Sequence, residues 1–95
     1  YIFLIMEALT DAAVHIGLPR KLAEELVTQT VLGSAYMSRE TGKHPAELKN
    51  MVTSPGGTTA EGLLRLEAGG ARAILAQAVI AAYEKAQRLG GQSSK

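Results

Sequence analysis

Ninety-five residues with 46% apolar but only 4% aromatic side chains, and no Trp, make a thin core from Ala, Leu, Ile and Val, which suits one domain of closely spaced helices more than a sheet sandwich. Ten basic against nine acidic side chains leave a formal charge of +1, no electrostatic footprint for nucleic acid or an anionic membrane surface. The absence of cysteine excludes disulfides, thiolate zinc sites and cysteine nucleophiles, and fits a reducing cytoplasm.

The chain starts YIFLIMEALTDAAVHIGLP. Its apolar run is shorter than the roughly 20 residues of a membrane span, and Glu7 and Asp11 interrupt it. It lacks the basic n-region and cleavage pattern of a signal peptide, and a start at Tyr1 rather than Met reads as a piece of something longer. The spacing predicts a first helix from about Ile2 to Ile16, ended by Gly17, with Pro19 in the first turn of the next helix. Nearly every position in its first half is apolar, so burial on more than one side is expected. Glu7, Asp11 and His15, four apart, make one solvent-facing stripe.

A second helix is expected from about Pro19 to Thr41, closed by Gly42. Leu22, Leu26, Gly33 and Met37, flanked by Ala23, Val27, Thr30 and Ser34, form its core face at helical spacing. Leu32 and Tyr36 lie on the opposite side among Gln29, Arg39 and Glu40. A short helix follows in HPAELKNMV, with Pro45 at its first position and His44 helping to start it. Thr58 to about Glu67 reads as a fourth helix closed by Gly69-Gly70, and Ala71 to about Leu89 as the fifth. On that last helix Ile74, Leu75, Ala78, Ala82 and Ala86 make one face, while Ile80 and Tyr83 lie elsewhere. The remaining GGQSSK, residues 90–95, reads as a polar, flexible tail. No window alternates with period two, so the expectation is all-α: about five helices, three long and two short. Apolar residues on several faces exceed what a small monomer buries, which predicts a homodimer or a higher oligomer built on dimers, the alternative being that a part of the protein outside these residues covers them.

Most chemistry-bearing motifs are missing. His15 and His44 lie far apart without the three or four converging ligands that a metal needs, so no metal site is expected. Glu24 and Glu25 are adjacent on a helix and do not face each other. No serine stands in a GxSxG elbow, and SPGGTT, LGG and AGG are neither GxxxxGK[ST] nor GxGxxG after a strand.

TSPGGTTAEG, Thr53 to Gly62, is different. Pro55 fixes its own φ and has no N–H. Gly56 allows a sharp turn, and Gly57, lacking Cβ, clears space for a ligand near the main chain. Thr58 with Glu61 three residues on forms a T-x-x-E capping box, and a helix N-terminus presents unpaired amides with partial positive charge. Such a turn suits a carboxylate or phosphate, with the Thr59 hydroxyl free to meet the rest of the ligand. On the residues alone, a tight interhelical turn with threonine caps accounts for the segment equally well.

EALTDAAVHIGLPRKLAEELVTQTVLGSA, TGKHPAELKNMV and TSPGGTTAEGLLRLEAGGARAILAQAV together resemble the C-terminal domain of the pyrroline-5-carboxylate reductase family, over about Tyr1 to Leu89. The resemblance implies a substrate-binding and dimerisation domain, residues 1–89, interlocked with its twin. It implies an enzyme that reduces 1-pyrroline-5-carboxylate to L-proline, the last step of proline biosynthesis. NADPH or NADH would be held mainly by an N-terminal dinucleotide-binding domain that this chain does not contain, so the 95 residues alone are expected to be inactive. Carried over by the resemblance, Ser54, Gly57 and Thr58 meet the substrate carboxylate, largely through main-chain amides, and Gly56 between them counts among the substrate-binding residues. Thr59 bonds the ring nitrogen as the catalytic residue. The alternatives are a helical association module with no substrate, or the helical domain of a related hydroxyacid-type dehydrogenase. The combination of HPAELK with SPGGTT opposes the latter.

Overall fold

The structure, a computed structural model, describes residues 1–94. The described residues form five helices: α1 (Ile2–His15), α2 (Arg20–Thr41), α3 (Pro45–Met51), α4 (Thr58–Ala68) and α5 (Ala71–Ser94). No strand occurs among the described residues. The all-α expectation of three long and two short helices therefore holds. The chain divides into two compact units, residues 1–49 and 50–95.

In the first unit α1 packs on α2. Their connection is tight because α1 ends in a Schellman motif: the Gly17 N–H donates to the Val14 carbonyl at 3.0 Å and the Leu18 N–H to the Ala13 carbonyl at 3.1 Å. Gly17 supplies the positive φ, +116°, that this ending requires. Pro19, expected inside α2, is its N-cap at φ −58° and ψ 142°, and the helix starts one residue later at Arg20. Arg20 then reaches back, Nη1 donating to Asp11 Oδ1 at 3.0 Å. The other end of α2 is closed by Gly42 at φ +63°, its N–H donating to the Ser38 carbonyl.

Among the described residues only Thr10, Ala23 and Val27 are buried. These are small side chains, and small side chains let helix axes approach closely. The Thr10 hydroxyl would be a cost there, but it donates to the Met6 carbonyl at 2.8 Å. Ala23 and Val27 confirm part of the expected α2 core face. Leu22 and Leu26 next to them are exposed, as is Met37, because α1 covers only one narrow stripe. The burial expected for the first half of α1 is absent within the chain: Ile2, Phe3 and Leu4 are all exposed, Phe3 at 85%.

In the second unit α4 meets α5 at a Gly69-Gly70 corner. Gly70 has φ +78° and its N–H donates to the Glu67 carbonyl at 3.1 Å. Arg72 Nε donates to both carboxylate oxygens of Glu67 at 2.9 Å, bracing the corner from outside. Hydrogen bonding to Glu67, then its negative charge, raises the Arg72 guanidinium above its ordinary pKa. The expected α5 face is only partly covered: Ala78 is half-buried, whereas Ile74 and Leu75 are exposed, with Ile80 and Tyr83. The stretch expected as a polar tail over 90–95 is helical through Ser94, and Lys95 lies outside the described residues. Gly90 and Gly91 lower helix propensity, by about 1 kcal/mol each relative to Ala, but they keep their N–H groups, so the ladder can pass through them. No described helix is long and apolar enough to cross a membrane.

Candidate functional site

The segment between α3 and α4 is built from main-chain hydrogen bonds. The Thr53 N–H donates to the Asn50 carbonyl at 3.2 Å, turning the chain out of α3. Ser54 to Gly57 then form a turn in which the Gly57 N–H donates to the Ser54 carbonyl at 3.0 Å. Pro55 occupies the second position and Gly56 the third, with φ +71°. That is the residue pattern of a type II turn, where proline presets one φ and glycine tolerates the positive one.

Gly57 plays a different part. Its φ of −82° and ψ of 175° are extended, a conformation open to any residue. It is the N-cap of α4, and the first helical bond runs from the Glu61 N–H to the Gly57 carbonyl at 3.2 Å. The amides of Thr58, Thr59 and Ala60 thus stand at the open end of α4 with no main-chain acceptor. The space left by the missing Gly57 side chain is occupied locally: a Cβ there would lie 2.6 Å from Ser54 Oγ and 3.2 Å from the Ser54 carbonyl oxygen.

The capping box expected from Thr58 and Glu61 does not form, and no side chain caps α4. The reason is register. With Gly57 as N-cap, the third helical position is Ala60, one residue short of Glu61, and Thr58 is already inside the helix. The sequence-predicted residues Ser54, Gly56, Gly57, Thr58 and Thr59 nonetheless fall together in one turn and the helical turn that follows it. Ser54, Gly56, Thr58 and Thr59 are exposed, while Gly57 and Ala60 are half-buried. The sequence reading leaves out Ala60, whose amide completes the set of three. Its signal is present in the sequence, since the Pro-Gly pair at 55–56 assigns Gly57 to the fourth turn position and hence to the cap. His15 and His44 join no metal-binding cluster among the described residues.

Elsewhere, His44 does start α3. Its carbonyl accepts from the Glu47 and Leu48 N–H groups at 2.9 and 3.1 Å, and its Nδ1 accepts from the Ala46 N–H at 3.0 Å.

The family model described as pyrroline-5-carboxylate reductase dimerisation matches residues 1–89. The chain is 56% identical over 89 residues to the pyrroline-5-carboxylate reductase of Arabidopsis thaliana and 48% identical over 89 residues to that of Escherichia coli K12. Each match covers 94% of this chain and respectively 32% and 33% of the relative, so the chain spans about a third of their length. Among solved structures, the Plasmodium falciparum pyrroline carboxylate reductase, crystallised with NADP bound, superposes with a TM-score of 0.92 at 41% identity, covering 95% of this chain and 34% of that one. The Coxiella burnetii pyrroline-5-carboxylate reductase gives 0.90 at 48% identity, over 94% and 33%. With the match running from Tyr1 through α4 and most of α5, the chain belongs to the pyrroline-5-carboxylate reductase dimerisation family.

Proposed function

We propose that this chain is the substrate-binding and dimerisation domain of an NAD(P)H-dependent reductase that converts 1-pyrroline-5-carboxylate to L-proline in the cytoplasm. The observation that carries the proposal is the row of three unpaired amides, Thr58 to Ala60, directly behind the Ser54–Gly57 turn. A carboxylate placed there meets N–H donors and the positive end of the α4 dipole together. Ser54, Gly56, Gly57 and Thr58 form the cradle. Thr59, in the first turn of α4, holds the imine nitrogen through its hydroxyl and steadies the developing charge on it, as preorganised donors do.

The nicotinamide cofactor, NADPH or NADH, supplies the hydride. The described residues of this chain contain no strand, and hence no strand–turn–helix unit of the kind that grips a pyrophosphate. The dinucleotide is assigned mainly to an N-terminal domain of the whole enzyme, and the domain by itself is inactive. The partner is a second copy, interlocked with this one. Support comes from the family's dimerisation role and from the apolar side chains that the chain leaves exposed, Phe3, Leu32, Tyr36 and Tyr83 among them.

The test is Thr59→Ala in the full-length reductase. Turnover should fall by about a hundredfold, the cost of one oriented donor, while the sedimentation profile stays that of the parent. Unchanged turnover would remove Thr59 from the reaction.

A further inference from the structure

Two adjacent glycines in the loop are glycines for different reasons. Gly56 answers to its backbone, with φ +71°. Gly57 does not, since its extended φ and ψ suit alanine equally well. What makes Gly57 special is its neighbour. The three atoms nearest to a Cβ at position 57 all belong to Ser54: Oγ at 2.6 Å, the carbonyl oxygen at 3.2 Å and Cβ at 3.8 Å. The 2.6 Å approach is far inside van der Waals contact, and the 3.2 Å approach is tight enough that the Ser54 carbonyl must give by a few tenths of an ångström.

Ser54 Oγ is therefore tucked into the place where a side chain at 57 would stand. Position 57 is also the N-cap of α4, immediately before the three unpaired amides. A serine hydroxyl is a rotor, and a Cβ at 57 would expel it by rotation about χ1 without unfolding the turn. The main-chain bond from the Gly57 N–H to the Ser54 carbonyl needs no side chain at 57.

We infer that Gly57 is a positioning residue that acts through Ser54: its missing Cβ holds the Ser54 hydroxyl at the mouth of α4, where it joins the amides as a donor to the substrate carboxylate. The inference rests on the carboxylate cradle proposed above. It assigns to Gly57 a job different from making room for the ligand. Ligand clearance and hydroxyl placement predict opposite behaviour when the Ser54 hydroxyl is removed.

The experiment is a double-mutant cycle in the full-length reductase with Gly57→Ala, Ser54→Ala and the pair, reading KM for 1-pyrroline-5-carboxylate, kcat and the dimer–monomer equilibrium. Ser54→Ala should raise KM about tenfold, the size of one hydrogen bond to a charged group. Gly57→Ala should raise KM by at least as much with kcat nearly kept, since the lost contact serves ground state and transition state alike. In the Ser54→Ala background, adding Gly57→Ala should change KM less than threefold, with dimerisation unaltered throughout. Two independent increases that multiply in the double variant would overturn the inference and leave Gly57 facing the ligand directly. A Ser54→Ala enzyme with parental KM would overturn the hydroxyl's role as donor, whereas the cradle itself fails only if all three variants bind substrate as the parent does.

Discussion

The Ala46 amide donates to His44 Nδ1 at 3.0 Å. A histidine ring thus does at the start of α3 what a serine or aspartate side chain does elsewhere, while Pro45, with no N–H to satisfy, occupies the first helical position. The same residue anchors α3 through its carbonyl, which accepts from Glu47 and Leu48.

Replacing His44 should therefore act locally on α3. His44→Ala is expected to cost about 1 kcal/mol, the usual value of an N-cap side chain, and to speed hydrogen exchange at Ala46. His44→Asn, which offers an acceptor of similar reach, should restore most of that. Equal exchange at Ala46 in parent and alanine variant would show that the ring does not cap the helix.

Gly56 makes a backbone prediction. At φ +71°, an alanine is placed in the left-handed region, which costs about 1–2 kcal/mol. Gly56→Ala should lower the urea midpoint accordingly without changing the m-value. Gly57→Ala, at φ −82°, carries no left-handed strain and should move it less, by what the displacement of Ser54 from the new Cβ costs. A reversed order would contradict the type II assignment of the Ser54–Gly57 turn.

Association is the next consequence. Phe3 is 85% exposed and stands in a run with Ile2 and Leu4, also exposed. If the second copy covers this run, Phe3→Asp removes about 2–3 kcal/mol of apolar burial and adds a charge. The dimer dissociation constant should rise by about a hundredfold or more, measurable by sedimentation equilibrium. The melting temperature of the parent should climb with protein concentration, as it does when folding and association are linked. A concentration-independent melt would exclude that linkage.

The elements themselves were legible because glycine and proline punctuate the chain: Gly17, Gly42 and Gly70 all take positive φ at helix ends, and each stands where the sequence places a boundary. Ala23 and Val27 were legible as core from spacing. Leu22 and Leu26 were not legible as exposed, because periodicity identifies the apolar face but not the chain that covers it. The helical continuation through Gly90 and Gly91 was missed for a related reason, since propensity is a weak prior against an established ladder. At the site, the turn and the open helix end behind it could be read from SPGG before a helix. The helix register could not, and one residue of difference at the cap separates a Thr58–Glu61 box from a bare Gly57 N-cap.

In the proposed function the amides of Thr58, Thr59 and Ala60 take the substrate carboxylate. Its most direct test is amide hydrogen exchange in the full-length reductase, with and without saturating L-proline, whose carboxylate is that of the product. Exchange at these three amides should slow at least tenfold on binding. Proline bound at saturation with exchange at Thr58, Thr59 and Ala60 unchanged would contradict it.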